Sequence, residues 1–315
     1  MVTFTHKMAR LSRRETYRRA WGYRRSWVAE HHNRPGIASA ATAVVIGYVA
    51  SGTSTMRVGA GGIMLPNHAP LVIAEPFGTL ASLYPDRIDR GIGRAPGTDR
   101  RTAYALRRHV SGDVDDFPRD VRALQHSFRP PHRGQQVQAV PGAGLHVPLW
   151  LLGSSLYGAQ LAAAFGLPYA FASHFAPGAL MQALSVYRSR FQPSDQLSTP
   201  YVMVGVNVFA AATAAEARYL QSSAQQSLLN GRRGQPSRLP PPVDNFDRQL
   251  TPPERALLHE AHACSVTGSP ETVRQGLEAF IAQTEAEEII VSSPIFDHAA
   301  RLRSFAIVAE VCGGA

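Results

Sequence analysis

The chain has 315 residues, of which 44% are hydrophobic and 17% charged, a composition that excludes a largely disordered protein and suffices for one large domain. The net charge of +9 is concentrated in residues 1–25, which carry eight basic side chains against one acidic side chain. Since the remainder is close to neutral, the charge is weak evidence for nucleic-acid binding, and we expect no nucleic-acid partner.

Short apolar runs rich in Val, Ile and Leu recur along the chain, and each ends at Gly, Pro, His or Asn. Such runs predict the strands of a buried parallel sheet, with helices between them. The seven predicted strands cover residues 26–32, 56–65, 87–94, 148–155, 169–176, 201–210 and 288–296. The six predicted helices cover residues 39–50, 70–83, 157–166, 177–191, 213–229 and 270–284.

Two stretches fall outside this alternation. Residues 107–147 predict a helix followed by a Pro/Gly-rich excursion. Residues 228–256 contain six prolines without sustained periodicity and predict a flexible insertion, either a lid over a site or a surface loop without a role.

The alternation of strands and helices leaves two architectures, an open doubly wound sheet or a (β/α)8 barrel. Seven or eight repeats favour the barrel, and no GxGxxG motif follows a first strand to favour a dinucleotide-binding fold. In a barrel, polar residues at the carboxyl ends of the strands converge on one face, where active sites form. These residues are Glu30, His31, His32, Asn33, Asn67, His68, Arg94, Ser154, Ser155, Ser173, His174, Asn207, Asp297 and His298.

The longest uncharged run, between Arg133 and Arg188, is interrupted by several Pro and Gly residues. Its apolar pieces are shorter than the roughly 20 residues that a membrane-spanning helix needs, so we expect no membrane span. The two cysteines, Cys264 and Cys312, stand far apart without a CxxC motif. They indicate neither a disulfide framework nor a structural zinc site, and a reducing cytoplasm fits them.

Three motifs could carry chemistry, although each also has a purely structural interpretation. Side chains alternate along a strand, so only one of His31 and His32 can face the barrel mouth. The glycines at 59–62 could let a flat cofactor approach the strand, or could serve close packing. Ser154 and Ser155, at a helix N-terminus, could hold a phosphate together with Arg94, or could form an ordinary turn. The histidine spacing gives no metal motif, and we expect no metal.

Several long motifs resemble the luciferase-like flavin-dependent monooxygenases, in the bacterial group similar to alkanal monooxygenase. They are WVAEHHN, MRVGAGGIMLPNHAP, RIDRGIGRAPGTD, VPLWLLGSSLYGAQ, YAFASHFAP and GSPETVRQGLEAFI, and the resemblance covers about residues 21–311. It implies a (β/α)8 TIM barrel that binds FMN, reduced by a separate flavin reductase, and uses oxygen on an aldehyde or another small apolar substrate. It also implies a homodimer.

The resemblance assigns roles to individual residues. His31 matches the catalytic histidine that steadies the reacting flavin or takes a proton from it. Gly61 and Gly62 match the strand beside the flavin ring, where the family often has a non-proline cis peptide. The remaining cofactor-binding positions belong to the phosphate site and are Arg94, Gly153, Ser154, Ser155, Leu156 and Tyr157. Residues 228–256 match a mobile loop over the site.

Two other functions remain open at this point. A deazaflavin in place of FMN would make the protein a hydride-transfer oxidoreductase, and loss of the site would leave a non-catalytic flavin-binding relative. The sequence also departs from the family pattern, since Pro76 lies inside a predicted helix and Arg90 occupies a strand position that is usually apolar.

The N-terminal segment is a further departure from the family. Residues 1–20 form a divergent basic segment that offers only Val2-Thr3-Phe4 for the family's first strand. We therefore expect a single barrel domain over residues 21–315 whose first strand is missing or altered, with an unpaired edge beside the first and last strands. An alternative reading frame or start site, a transit peptide, or a basic arm that contacts a partner or a membrane surface could each explain the segment.

Overall fold

The computed structural model describes residues 22–106, 116–235 and 237–313, so the predicted basic segment 1–20 lies outside the described residues. Strands and helices alternate along the chain. The strands are β1 (Arg25–Val28), β2 (Arg57–Met64), β3 (Ile88–Gly93), β4 (Leu149–Gly153), β5 (Tyr169–Phe171), β6 (Val202–Ala210), β7 (Ser265–Gly268) and β8 (Glu288–Ser292). The helices are α1 (Thr42–Ser51), α2 (Pro70–Leu83), α3 (Arg100–Leu106), α4 (Phe117–His126), α5 (Leu156–Phe165), α6 (Leu180–Arg190), α7 (Ala214–Arg232), α8 (Pro252–Ala261), α9 (Pro270–Thr284) and α10 (His298–Gly313).

All strand pairs are parallel, and β1 to β6 pair in sequence order. β6 pairs on its other side with β8 over residues 203–207 and with β7 over residues 207–210. Within the described residues no backbone pairing joins β1 to β8, which agrees with the expected unpaired edge. Arg25 on β1 and Glu288 on β8 nevertheless form an ion pair of 2.6 Å. This side-chain contact brings the two edges near each other without backbone pairing, and the parallel sheet belongs to the predicted barrel class.

A buried ion network ties together the N-terminal ends of three neighbouring strands. The carboxylate of Asp89 on β3 is fully buried and accepts hydrogen bonds from Arg25 at 2.7 Å and from Arg57 at 2.8 and 2.7 Å. The indole of Trp27 donates a further bond to the same carboxylate at 3.1 Å. Both arginines neutralise a charge that would otherwise be costly to bury, so the network fixes the mutual position of β1, β2 and β3.

Some predicted elements were confirmed and others were missed. Helix α9 has the predicted bounds, and Ser269 caps it by accepting from the amide of Thr272. Strand β7 was missed because its four residues contain no apolar run. Helix α8 begins inside the predicted insertion 228–256, where Thr251 and Glu254 form a capping box around Pro252. Since α7 also extends to Arg232, the irregular part of this insertion is shorter than expected.

The two departures from the family pattern fit the structure differently. Helix α2 runs through Pro76 with its predicted bounds. The missing amide of Pro76 leaves the carbonyl of Val72 unpaired, and Val72 is 56% exposed, so water can reach it. Arg90 on β3 is instead buried, at 3% exposure, and forms no ion pair with a carboxylate of the described residues. No helix of the described residues is both long and apolar enough to cross a bilayer.

Candidate functional site

A cavity of about 940 Å³ occupies the barrel and reaches the carboxyl ends of the strands. It also extends along the gap between β1 and β8 to α10, which lines it with Phe305 and Val308. Cavities of this size accommodate cofactors and small substrates. The cavity is lined by most of the predicted site residues, namely His31, Gly61, Gly62, Arg94, Gly153, Ser154, Ser155 and Tyr157. Leu156 does not line the cavity and packs against the core.

His31 follows β1 and faces the cavity, whereas His32 does not line it, as the alternation of side chains predicts. The Nδ1 atom of His31 lies 2.9 Å from the carbonyl oxygen of Gly97. Because a carbonyl oxygen only accepts hydrogen bonds, Nδ1 carries the proton of the neutral ring, and Nε2 remains able to accept one. Gly97 has φ +64°, and a Cβ there would lie 3.2 Å from Nδ1, so glycine makes room for this contact.

Glu30 lies behind His31 and is 1% exposed. Its Oε1 accepts hydrogen bonds from Nε2 of His32 and from Nε2 of His68, both at 2.8 Å, while its Oε2 accepts from the amide of Met64 at 3.1 Å. Burial acts to raise the pKa of Glu30. The hydrogen bond and charge of His68, together with the hydrogen bonds from His32 and from the backbone amide of Met64, outweigh burial and lower the pKa. Glu30 therefore joins the end of β1, with His31, to the end of β2.

The donor atoms of Glu30, His32 and His68 lie within 4.8 Å of one another, and all three are ligand types for transition metals. Each of these atoms is already engaged in the hydrogen bonds just described. The cluster is therefore fully explained as a hydrogen-bonded network. Sequence spacing could not reveal it, since His68 is 38 residues from Glu30.

The peptide bond between Gly61 and Gly62 is cis, as the resemblance implied, and the register of β2 against β3 shifts between Ala60 and Ile63. A Cβ at Gly61 would lie 2.8 Å from Cβ of Trp27, and one at Gly62 would lie 2.9 Å from the carbonyl oxygen of Gly91. Packing inside the barrel thus requires glycine at both positions, whatever the cavity binds.

The predicted phosphate site lies where β3 and β4 end. The guanidinium of Arg94 stacks over the ring of Tyr157, 4.0 Å from its centroid, and forms no ion pair with a carboxylate among the described residues. Ser155 is the N-cap of α5, and its side chain makes no capping hydrogen bond. A cation without a counter-ion and an uncapped helix N-terminus together suit a bound phosphate.

His174 is a site residue that sequence reasoning left without a role. It follows β5 and lines the cavity, and its Nδ1 is buried without a hydrogen-bond partner in the described part of the chain. Burial lowers its pKa to about 4, so the ring is neutral at physiological pH. Its place at a strand end was visible in the sequence, but its packing against β6 was not.

Within residues 228–256, the described positions 228–235 and 237–256 do not line the cavity. Their loop passes close to the segment after β1, where a Cβ at Gly36 would lie 3.5 Å from the carbonyl oxygen of Ser237. The insertion therefore contacts the same connection that carries His31.

Comparison with known proteins gives consistent matches. Residues 18–288 match the family model for luciferase-like monooxygenases. A protein of Escherichia coli K12 described as a luciferase-like monooxygenase is 54% identical over 290 residues, which are 92% of this chain and 87% of that protein.

Solved structures show the same fold. The structure of apo-MsnO8 superposes with a TM-score of 0.86 at 33% identity, covering 99% of this chain and 94% of that one. The FMN complex of the oxygenating constituent of 3,6-diketocamphane monooxygenase from Pseudomonas putida, a type II Baeyer-Villiger monooxygenase, gives a TM-score of 0.71 at 17% identity, covering 95% and 90%. Other structures of this fold are F420-dependent enzymes.

Proposed function

Because the chain belongs to the luciferase-like monooxygenase family, we propose that it is a flavin-dependent monooxygenase that uses FMN reduced by another protein. Oxygen and an aldehyde, or another small apolar molecule, are its co-substrates. The observation that carries this proposal is the convergence of His31, Gly61–Gly62, Arg94 and the N-terminus of α5 on one cavity.

The residues present fit FMN. Arg94 and the backbone amides at the start of α5 would hold the phosphate, with the hydroxyls of Ser154 and Ser155 as further donors. The flavin ring would lie along β2 beside Gly61–Gly62, which brings it to the part of the cavity that His31 faces.

Reduced flavin, when bound, supplies the electrons by which one oxygen atom enters the substrate and the other leaves as water. His31 contributes a proton acceptor at Nε2, held in place by the bond of Nδ1 to Gly97. Glu30 fixes the connection that carries His31, and the apolar barrel walls exclude water from the reacting groups.

The same proposal includes the source of electrons and the setting. No dinucleotide-binding motif is evident in the sequence, so a separate reductase would supply the reduced FMN. The cysteines favour a cytoplasmic setting, and the family resemblance favours a homodimer. Sedimentation of the purified protein would test the homodimer.

The test is a titration of the purified chain with oxidised and reduced FMN, followed by flavin absorbance and fluorescence. Arg94→Ala is expected to weaken binding roughly 10- to 150-fold, the loss of about 1.5–3 kcal/mol from charge-assisted hydrogen bonds. Arg122→Ala is the matched control, because Arg122 also stacks on an aromatic ring, that of Phe165, but does not line the cavity. A folded chain that binds no FMN contradicts the proposal.

Two further measurements, a deazaflavin titration and an oxygen-consumption assay with reduced FMN, distinguish the two alternatives. Selective binding of a deazaflavin would indicate a hydride-transfer oxidoreductase without oxygen chemistry. If reduced FMN binds but oxygen consumption is negligible and is unchanged by His31→Ala, the protein is a non-catalytic flavin-binding relative.

A further inference from the structure

The imidazole of His174 occupies a slot that β6 provides. A Cβ at Gly205 would overlap Nδ1 of His174, so only glycine at position 205 admits the ring. The backbone around His174 is also held against β6. The hydroxyl of Ser173 donates to the carbonyl oxygen of Gly205 at 2.6 Å, and the side-chain Nδ2 of Asn207 donates to the carbonyl oxygen of His174 at 2.5 Å. β6 therefore both admits the ring and holds the backbone that carries it.

The surroundings of Nδ1 keep the ring neutral. Nδ1 is buried with no hydrogen-bond partner among the described residues, and a positive charge would require a buried N–H there without an acceptor. Burial accordingly lowers the pKa of His174 to about 4. A buried Nδ1 without an acceptor disfavours an N–H at that atom, so the proton of the neutral ring lies on Nε2.

The other ring nitrogen, Nε2, is the polar atom that His174 offers to the cavity. A neutral ring whose Nδ1 is unprotonated donates a hydrogen bond from Nε2. The neighbouring walls are apolar, since Ala170 and Phe171 line the cavity and the ring of Phe175 lies edge-on, 4.9 Å from that of His174. An uncharged donor between apolar walls suits an uncharged acceptor on an apolar ligand and does not suit a phosphate.

We propose that His174 binds a carbonyl oxygen of the ligand in this cavity through Nε2–H. The inference deepens the proposed function and rests on it. Two ligands could supply the carbonyl, the ring of FMN itself or an aldehyde substrate. Arg94 and α5 would hold the charged phosphate, so the two polar parts of the site have separate tasks.

The experiment compares the full-length wild type with His174→Leu, which removes the donor, and His174→Gln, whose side-chain amide places an N–H near the position of Nε2. Titration calorimetry measures the affinities for FMN and, separately, for hexanal. In His174→Leu the affinity for the ligand that supplies the carbonyl is expected to fall about 5- to 30-fold, and His174→Gln restores most of it.

The FMN and hexanal titrations together identify which ligand supplies the carbonyl. If the aldehyde supplies the carbonyl, His174→Leu weakens hexanal binding and leaves FMN binding unchanged. The infrared carbonyl stretch of bound hexanal, labelled with ¹³C at the carbonyl, then lies below its solution value in wild type and returns towards that value in His174→Leu. If flavin supplies it, FMN binding weakens and the flavin absorption band shifts. Wild type that binds both ligands, with neither affinity changed in His174→Leu, overturns the inference alone. Wild type that binds neither ligand overturns the proposed function.

Discussion

Replacing Arg90 by methionine is expected to stabilise the protein. The guanidinium is buried at 3% exposure, and only Nη2 has a partner, the carbonyl oxygen of Val147 at 2.6 Å, while Nε and Nη1 have none within the described residues. Its face lies 3.6 Å from the ring centroid of Phe128. Burial lowers the pKa of Arg90 to about 9, because the charged form has lost its solvent.

The size of the effect follows from these contacts. The lowered pKa corresponds to roughly 4–5 kcal/mol of destabilisation at neutral pH. Methionine removes this cost and keeps an apolar side chain against Phe128. The substitution also loses the bond to Val147 and the cation–π contact, each worth about 1–2 kcal/mol. The net gain expected is about 0–3 kcal/mol.

Urea unfolding followed by circular dichroism measures this gain as a higher midpoint at an unchanged slope. Arg122→Met is the control, since Arg122 is exposed beside the ring of Phe165. Its free energy of unfolding should stay within about 0.5 kcal/mol of wild type. Above pH 9 folded Arg90 loses its proton before the unfolded chain does, so wild type recovers stability and its gap to Arg90→Met narrows. An Arg90→Met midpoint below that of wild type refutes the reasoning.

Three further substitutions test other parts of the structure. As the pH falls from about 6.5 to about 4, the unfolded chain protonates His174 before the folded chain does, so the free energy of unfolding falls over this window. Between pH 7 and pH 5, His174→Leu should lose about 2 kcal/mol less of this free energy than wild type. Equal losses in the two proteins, measured by urea unfolding, would contradict the prediction. Glu30→Gln replaces a carboxylate that accepts three hydrogen bonds, and should lower the free energy of unfolding by about 2–4 kcal/mol in the same assay; an unchanged midpoint would show that the network is not needed. Thr251→Ala removes the cap of α8 and should cost about 1 kcal/mol without changing FMN affinity, whereas weaker FMN binding would mean that α8 shapes the site.

The sequence by itself determined the elements whose signals are local. Apolar runs and their polar ends predicted seven strands and the face on which the site lies, and the signal Ser269-Pro270 predicted the start of α9. The alternation of side chains along β1 also predicted that His31 and His32 face opposite ways. Where signals were short or were masked by prolines, as in β7 and α8, prediction failed.

Only the tertiary structure decided which polar groups meet. Glu30 receives His68 from 38 residues away, and Arg25 reaches Glu288 across 263 residues to join the two edges of the sheet. The packing of His174 on Gly205, like the burial of Arg90 against Phe128, depends on contacts between different strands and helices. A sequence pattern records the periodicity of one element, whereas hydrogen bonding and desolvation depend on which elements the fold brings into contact. These contacts exist only in the folded chain.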